Sequence, residues 1–436
     1  MASSDPNAAD VARHVRDSLP EKGLFAGHEW RVATAPFPIE PKLALQLESF
    51  GRILQQFYQA ADLLYRHSIN GKQPAWAHRW LDQGKPESIL EWQRSDRFRN
   101  ALPRVIRPDI LLTEDGWKIT ELDSVPGGIG LTDWLNLTYS RNHNVIGGAN
   151  GMAEGFDSIF DEAPGVRILV SEESSTYHPE MEWIAQRIGR PTKVEHTNDA
   201  SRFDSSECIY RFFELFDLPN VSCADELAHN SATLTAPPKT YLEEKMIFAL
   251  LTNGNLADFW RRELGGKFFK QLLNVLPMTW VIDPAPLPPH AALPELNLTN
   301  WSQLKTLSQR ERALILKRSG FHEEAWGARS VKLGSDLPQA EWAAGVQTAV
   351  DEFEQSPWIL QRYHKPRQVT HEWFDFEKGE PICMTGRARL CPYYFVQSGE
   401  RPEVKLGGIL ATICPADKKI IHGMRDAILA PCTIAD

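Results

Sequence analysis

The sequence predicts a mixed fold, part α/β and part α+β, and three stretches carry that prediction. Residues 166–212 alternate strand, helix and strand, which implies a small parallel sheet. Residues 110–120 hold two short apolar runs around a Gly-containing turn, which reads as a hairpin. The last third interleaves several strands with one helix, which reads as a mixed sheet region.

In chain order, Leu43, Leu47, Phe50, Leu54, Phe57, Ala61 and Leu64 fall at helical spacing and predict a long amphipathic helix over 43–64. The hairpin follows, with Ile110–Thr113 and Trp117–Thr120 as strands and Glu114-Asp115-Gly116 between them. A three-residue loop with Gly116 in the left-handed position sets Asp109 opposite Glu121 and Arg107 opposite Asp123, all on one face. Next, an apolar strand, Val166–Val170, leads into "SEESSTYHPE". Pro179 opens a helix bearing Met181, Ile184 and Ile188, Gly189 closes it, and a second strand starts near Thr192. The segment 241–276 is mostly helical, and the proline-rich 282–297 is a connection. Then come the strand "ALILKRSG", a helix over 339–353, the strand "WILQRY", and further strands through "EWFDFEKGEPICMTGRARL" and "VKLGGILATI".

Bulk properties exclude several functions. A net charge of −10 over 436 residues argues against nucleic-acid binding, which needs lysine and arginine to neutralise phosphates. No basic-then-apolar leader opens the chain and no apolar run approaches a membrane span, so a cytoplasmic protein without membrane partners is expected. Six scattered cysteines without a CxxC suit reduced thiols more than a zinc site. His364, His371 and His422 lack metal-ligand spacing and read as structural. Neither GxGxxG nor GxxxxGK[ST] occurs, and no serine sits in a nucleophile elbow.

Directly opposed carboxylates repel unless a cation lies between them. The spacing of Asp109, Glu121 and Asp123 therefore leaves two readings, an exposed acidic hairpin or carboxylates gathered about a hard divalent ion. Lys317, on an apolar strand before a Gly-containing loop, either meets an anion or snorkels into water. Arg387 and Arg389, two apart on one strand, either clamp a phosphate or carboxylate or form a solvated face.

Together these segments resemble the circularly permuted ATP-grasp family, in particular the ligase domain of glutathionylspermidine synthetase. The resemblance covers roughly residues 100–430, and the acidic hairpin is its most specific part. In that family an R-x-D, a twelve-position gap and an E-x-N supply a phosphate-contacting arginine and magnesium ligands. Here Arg107-Pro-Asp109 and Glu121-Leu-Asp123 match, with Asp123 where asparagine is usual. The resemblance implies an ATP-grasp core in permuted order with an inserted small parallel-sheet, pre-ATP-grasp-like domain. It implies an N-terminal helical segment over 1–100, the metal-binding hairpin part of the core over 101–150, the insert over 165–235 and the nucleotide-binding region over 236–436.

The same resemblance implies ATP and Mg2+ as cofactors, with Asp109, Glu121 and Asp123 as metal ligands. Arg107, Arg387 and Arg389 would face the phosphates, and Lys267 or Lys270, with Lys317 and Gln361, would hold the nucleotide. Arg211 of "IYRFF" would meet substrate, as would the loop "SEESSTYHPE". No counterpart of the family's amidase domain is visible. The implied activity is amide or peptide bond formation between a small carboxylate and an amine, amino acid, peptide or polyamine-like. The alternative is an ATP-binding scaffold or regulator without turnover.

Overall fold

The computed structural model describes residues 6–20, 23–24, 30–285, 293, 295–325, 327–399, 402–418, 421 and 425–435. His422 and part of the proline-rich connection lie outside them. The chain divides into two compact units. One comprises Met1–Gln55, Asn100–Pro237 and Pro366–Asp436; the other comprises Gln56–Arg99 and Pro238–Lys365. The amphipathic helix runs longer than its apolar spacing marks, Pro41–Ile69, and contributes residues to both. Among the described residues no helix is long and apolar enough to cross a membrane.

The first unit is built on a sheet of eight strands among the described residues. Its central path runs Ile428–Ile434, Glu403–Pro415, Glu380–Gln397, Val105–Thr113 and Gly116–Asp123, each antiparallel to the next. Along Glu380–Gln397, Met384, Gly386, Ala388 and Leu390 are buried while Arg387 and Arg389 between them are half-buried. That alternation places both arginines on one face. From Leu390 onward the strand is buried on both faces; Gly51 of the long helix sits against Tyr394, whose hydroxyl donates to the Leu47 carbonyl at 2.6 Å.

The hairpin pairs Arg107 with Asp123 and Asp109 with Glu121, as the spacing implied, but the turn differs. Thr113 pairs with Gly116, not Trp117, so the loop is the two residues Glu114 and Asp115. A register shift between Asp109 and Ile110 leaves Thr120 as an extra residue on the second strand and restores the pairing. Gly116, at φ +128°, opens the second strand. A tighter turn and a bulge offset each other.

The same unit holds a four-stranded, wholly parallel sheet in the order Thr192–His196, Val166–Val170, Cys208–Phe212, Thr233–Thr235. The helix between its first two strands is His178–Arg187, with Pro179 in its first turn, where a missing N–H costs nothing.

The second unit carries an antiparallel sheet in the order Lys332–Leu333, Leu314–Arg318, Trp358–Arg362, Thr279–Val281. One face buries Leu314, Leu316, Trp358 and Leu360 against Trp301 and Trp342. Lys317 pairs with Ile359 and Ile315 with Gln361, so Lys317 and Gln361 share the opposite face.

Candidate functional site

The carboxylate face of the hairpin is held by arginines. Arg107 meets Asp123 Oδ2 through its terminal nitrogen at 3.0 Å. Its Nε lies 3.2 Å from Asp109 Oδ1 but out of line for a hydrogen bond. Arg389, from the adjoining strand, donates to Asp109 Oδ2 at 3.0 Å, and the Cys391 thiol faces Asp109 Oδ1 at 3.4 Å. Asp123 Oδ1 accepts from the Val125 N–H at 2.9 Å.

Asp109 is 5% exposed, so its charge needs these partners. Burial works against the charge on Arg107, yet Asp109 and Asp123 hold its guanidinium well above the usual range. Asp123 is raised as well, which for a carboxylate disfavours the charge. Burial raises its carboxyl, Arg107 opposes the rise, and Glu121 adds to it. Burial, reinforced by Asp109, pushes the Cys391 thiol up to about 12, so it stays a thiol.

Arg387 lies on the same strand face as Arg389 but bonds the main-chain carbonyls of Ala416 and Lys418. Arg107, Arg387 and Arg389 nonetheless share one property: each keeps a buried Nε–H with no hydrogen-bond partner. A buried unmade donor costs about 1–3 kcal/mol.

The turn that follows the hairpin, Ser124–Gly128, was legible in sequence only as "SVPGG"; its partners were not. The Gly127 carbonyl accepts from Arg107 at 3.1 Å and from the Tyr393 hydroxyl at 2.8 Å. On the same peptide group, the Gly128 N–H donates to Glu180 Oε1 at 2.6 Å, and Leu131 N–H donates to Oε2 at 3.1 Å. Gly128 sits at φ +91°, and a side chain there would strike the Tyr393 hydroxyl. Glu180 thus caps the helix Ile129–Tyr139, although by sequence it reads as an ordinary acidic residue in the first turn of its own helix. Trp183 and Arg187 of that same helix bind Asp133 Oδ2, both at 2.9 Å, and lock the two helices together.

Arg211 is fully buried, with Nε donating to the Ala236 carbonyl at 3.3 Å and Nη1 to the Phe213 carbonyl. It holds main chain at the carboxyl edge of the parallel sheet. Tyr210, one residue earlier and so on the other face, has a buried hydroxyl without a partner, as do Thr235 beside it in register and Ser171.

The remaining expected residues belong to the second unit. Lys317 is buried in the strand Leu314–Arg318, and Gln361 donates to Thr279 Oγ1 at 3.2 Å. Lys267 and Lys270 are both exposed on the helix Ala257–Val275, within the stretch that reads as helical. The loop after Lys317 is tied down: Ser319 bonds the main chain of Lys245 and Met246, and Lys245 Nζ reaches the Ala325 carbonyl at 2.7 Å.

Three carboxylates on facing strands suit a hard divalent ion in kind. In the arrangement seen, Arg107 occupies the place between Asp109 and Asp123. Among the described residues no group of three or more His, Cys, Asp or Glu side chains converges on a point that could hold a metal ion.

The fold has a counterpart among solved structures. A glutathione synthetase-like effector from Globodera pallida superposes with a TM-score of 0.57 at 12% identity, covering 98% of this chain and 96% of that one. The chain therefore shares the fold of a glutathione synthetase-like protein. A candidate gamma-glutamylcysteine synthetase from Methylobacillus flagellatus KT gives a TM-score of 0.43 at 12% identity over 81% of this chain and 87% of that one. No protein-family model matches the sequence, and no curated protein does.

Proposed function

We propose that this chain is an ATP- and Mg2+-dependent carboxylate–amine ligase with a circularly permuted ATP-grasp core and an inserted small parallel-sheet domain. The observation that carries the reading is the pair Arg107 and Arg389, each of which keeps a buried Nε–H unfilled beside the carboxylates of the hairpin, with Arg387 keeping another on the strand face of Arg389. Fold likeness to a glutathione synthetase-like protein over nearly the whole chain supports it.

In this reading the γ-phosphoryl group of ATP passes to a substrate carboxylate. The amine attacks the resulting acyl phosphate, expelling phosphate and losing a proton to form the amide. Positioning and charge neutralisation do most of the catalysis. Arg107 and Arg389 supply donors to the transferred group, and Lys317 and Gln361 hold the nucleotide. Asp109, Glu121 and Asp123 would hold Mg2+ once Arg107 leaves the place between them, and the ion would neutralise phosphate charge when bound. The unpartnered hydroxyls of Ser171, Tyr210 and Thr235 suit a polar small-molecule substrate at the carboxyl edge of the parallel sheet.

The test is ADP release from ATP and Mg2+ over mixed amino acids, peptides and polyamines, with hydroxylamine added to trap the acyl phosphate as a hydroxamate. ADP with hydroxamate supports the ligase; AMP and pyrophosphate exclude it.

A second reading, an ATP-binding scaffold without turnover, is favoured by one observation. Both oxygens of Asp109 and of Asp123 already face protein donors. ATP binding without ADP release from any acceptor mixture would select it.

A further inference from the structure

We propose that Glu180 is a positioning residue for Arg107, acting through the single peptide group that joins Gly127 to Gly128. The carbonyl of that group accepts from the Arg107 guanidinium at 3.1 Å, and its N–H donates to the Glu180 carboxylate at 2.6 Å. A cation and an anion thus lie at the two ends of one peptide dipole, and each polarises it in the sense that strengthens the other's hydrogen bond. The Tyr393 hydroxyl steadies the same carbonyl at 2.8 Å. The two glycines leave room for this approach, since a side chain on Gly127 would run into the Tyr177 ring.

Glu180 is 1% exposed and comes from the helix of the small parallel sheet, whereas Arg107 comes from the hairpin. The peptide therefore links the insert to the arginine face. The charged and titratable groups around Glu180 are Arg107 on the hairpin, Tyr177 before its own helix, Tyr210 on the parallel sheet and Tyr393 on the long strand. Asp123 acts on Tyr177 and Tyr210, and Asp133 with Arg187 closes the far side of the helix pair. Burial lifts the Glu180 carboxyl to about 7, against the pull of the Gly128 and Leu131 N–H groups and of Arg107. Its charge therefore changes within the working range of most enzymes.

The catalytic consequence rests on the ligase reading; the hydrogen-bond consequence does not. Two measurements separate them. The first is amide hydrogen exchange at Gly128 and Leu131 in the full chain, corrected for intrinsic rates, at pH 6 and pH 8. Ionised Glu180 is the better acceptor, so protection in the wild type should fall at least tenfold at pH 6. At pH 8, Glu180→Gln should lose a similar factor, and the guanidinium 15N signal of Arg107, identified by its loss in Arg107→Lys, should shift. Protection and Arg107 signal that ignore both pH and the substitution would overturn the proposal, and the wild-type pH arm stands even if the variant fails to fold. The second measurement is ADP release against pH. The wild type should show a limb near pH 7 that Glu180→Gln lacks, with kcat falling about tenfold at pH 8 and the KM for ATP little changed. A limb and kcat identical in both would overturn the proposal. A wild type that releases no ADP sinks the ligase reading alone, and the exchange data then decide the role of Glu180.

Discussion

Arg107 and Asp123 are register partners on adjacent strands, and the guanidinium meets the carboxylate at 3.0 Å. The contact converts what would be three opposed carboxylates into a partly neutralised face. Its consequences for stability and binding can be measured one residue at a time.

Asp109 is the shared anion of Arg107 and Arg389, and all three side chains are at most 19% exposed. Asp109→Ala would leave Arg389 without its counter-charge and Arg107 with Asp123 alone. Removing one partner of a buried ion pair typically costs about 3–5 kcal/mol. Urea unfolding should show a loss of that order, and Asp109→Asn a smaller one. A loss within the ordinary range of surface substitutions would mean the arginines do not depend on Asp109.

Glu121 stands opposite Asp109 and raises the Asp123 carboxyl, after burial. Glu121→Gln relieves that repulsion, so the melting temperature without nucleotide should be unchanged or higher. ATP turnover should nonetheless be abolished, because Glu121 is a proposed Mg2+ ligand. Full turnover in the variant would remove Glu121 from the metal set.

Lys317 is buried on the sheet face it shares with Gln361. Lys317→Ala should weaken binding of an ATP analogue by about 1.5–3 kcal/mol, the usual worth of a charge-assisted hydrogen bond. Isothermal titration reads this directly. Lys267→Ala and Lys270→Ala in parallel would decide which of these two exposed helical lysines, if either, meets the nucleotide.

Glu180 makes stability depend on pH in a definite direction. Its carboxyl titrates near the ordinary 4.5 when unfolded and at about 7 when folded, so between those values the folded chain holds the extra proton. The resulting stabilisation is fully present below pH 4.5 and is lost as pH rises through 7. Relative to Glu180→Gln, which cannot titrate, the wild type should lose up to about 3 kcal/mol between the two extremes, at about 1.36 kcal/mol per pKa unit. Paired urea melts at several pH values would measure the difference, and a flat difference would contradict the assignment.

Local patterning by itself determined much of this chain. The apolar spacing located the long helix, the Pro179 helix and the strand that carries Lys317, because each period is set by bonds a few residues apart. It also paired Arg107 with Asp123 and Asp109 with Glu121, since side chains on facing strands repeat every second residue. The turn is one residue shorter than its spacing implies, and the pairing holds because the extra residue Thr120 compensates for the shorter loop.

Tertiary structure alone decided what holds those charges. Arg389 reaches Asp109 across 280 positions of sequence, and Glu180 reaches the Gly128 N–H across 52. Which strand adjoins the hairpin, and which carboxylate lands on the start of the next helix, depend on long-range packing of the whole sheet. No local period encodes that packing. A buried carboxylate also reads in sequence like any solvated one until its surroundings are known, because the cost of burying it is set by neighbours distant in the chain.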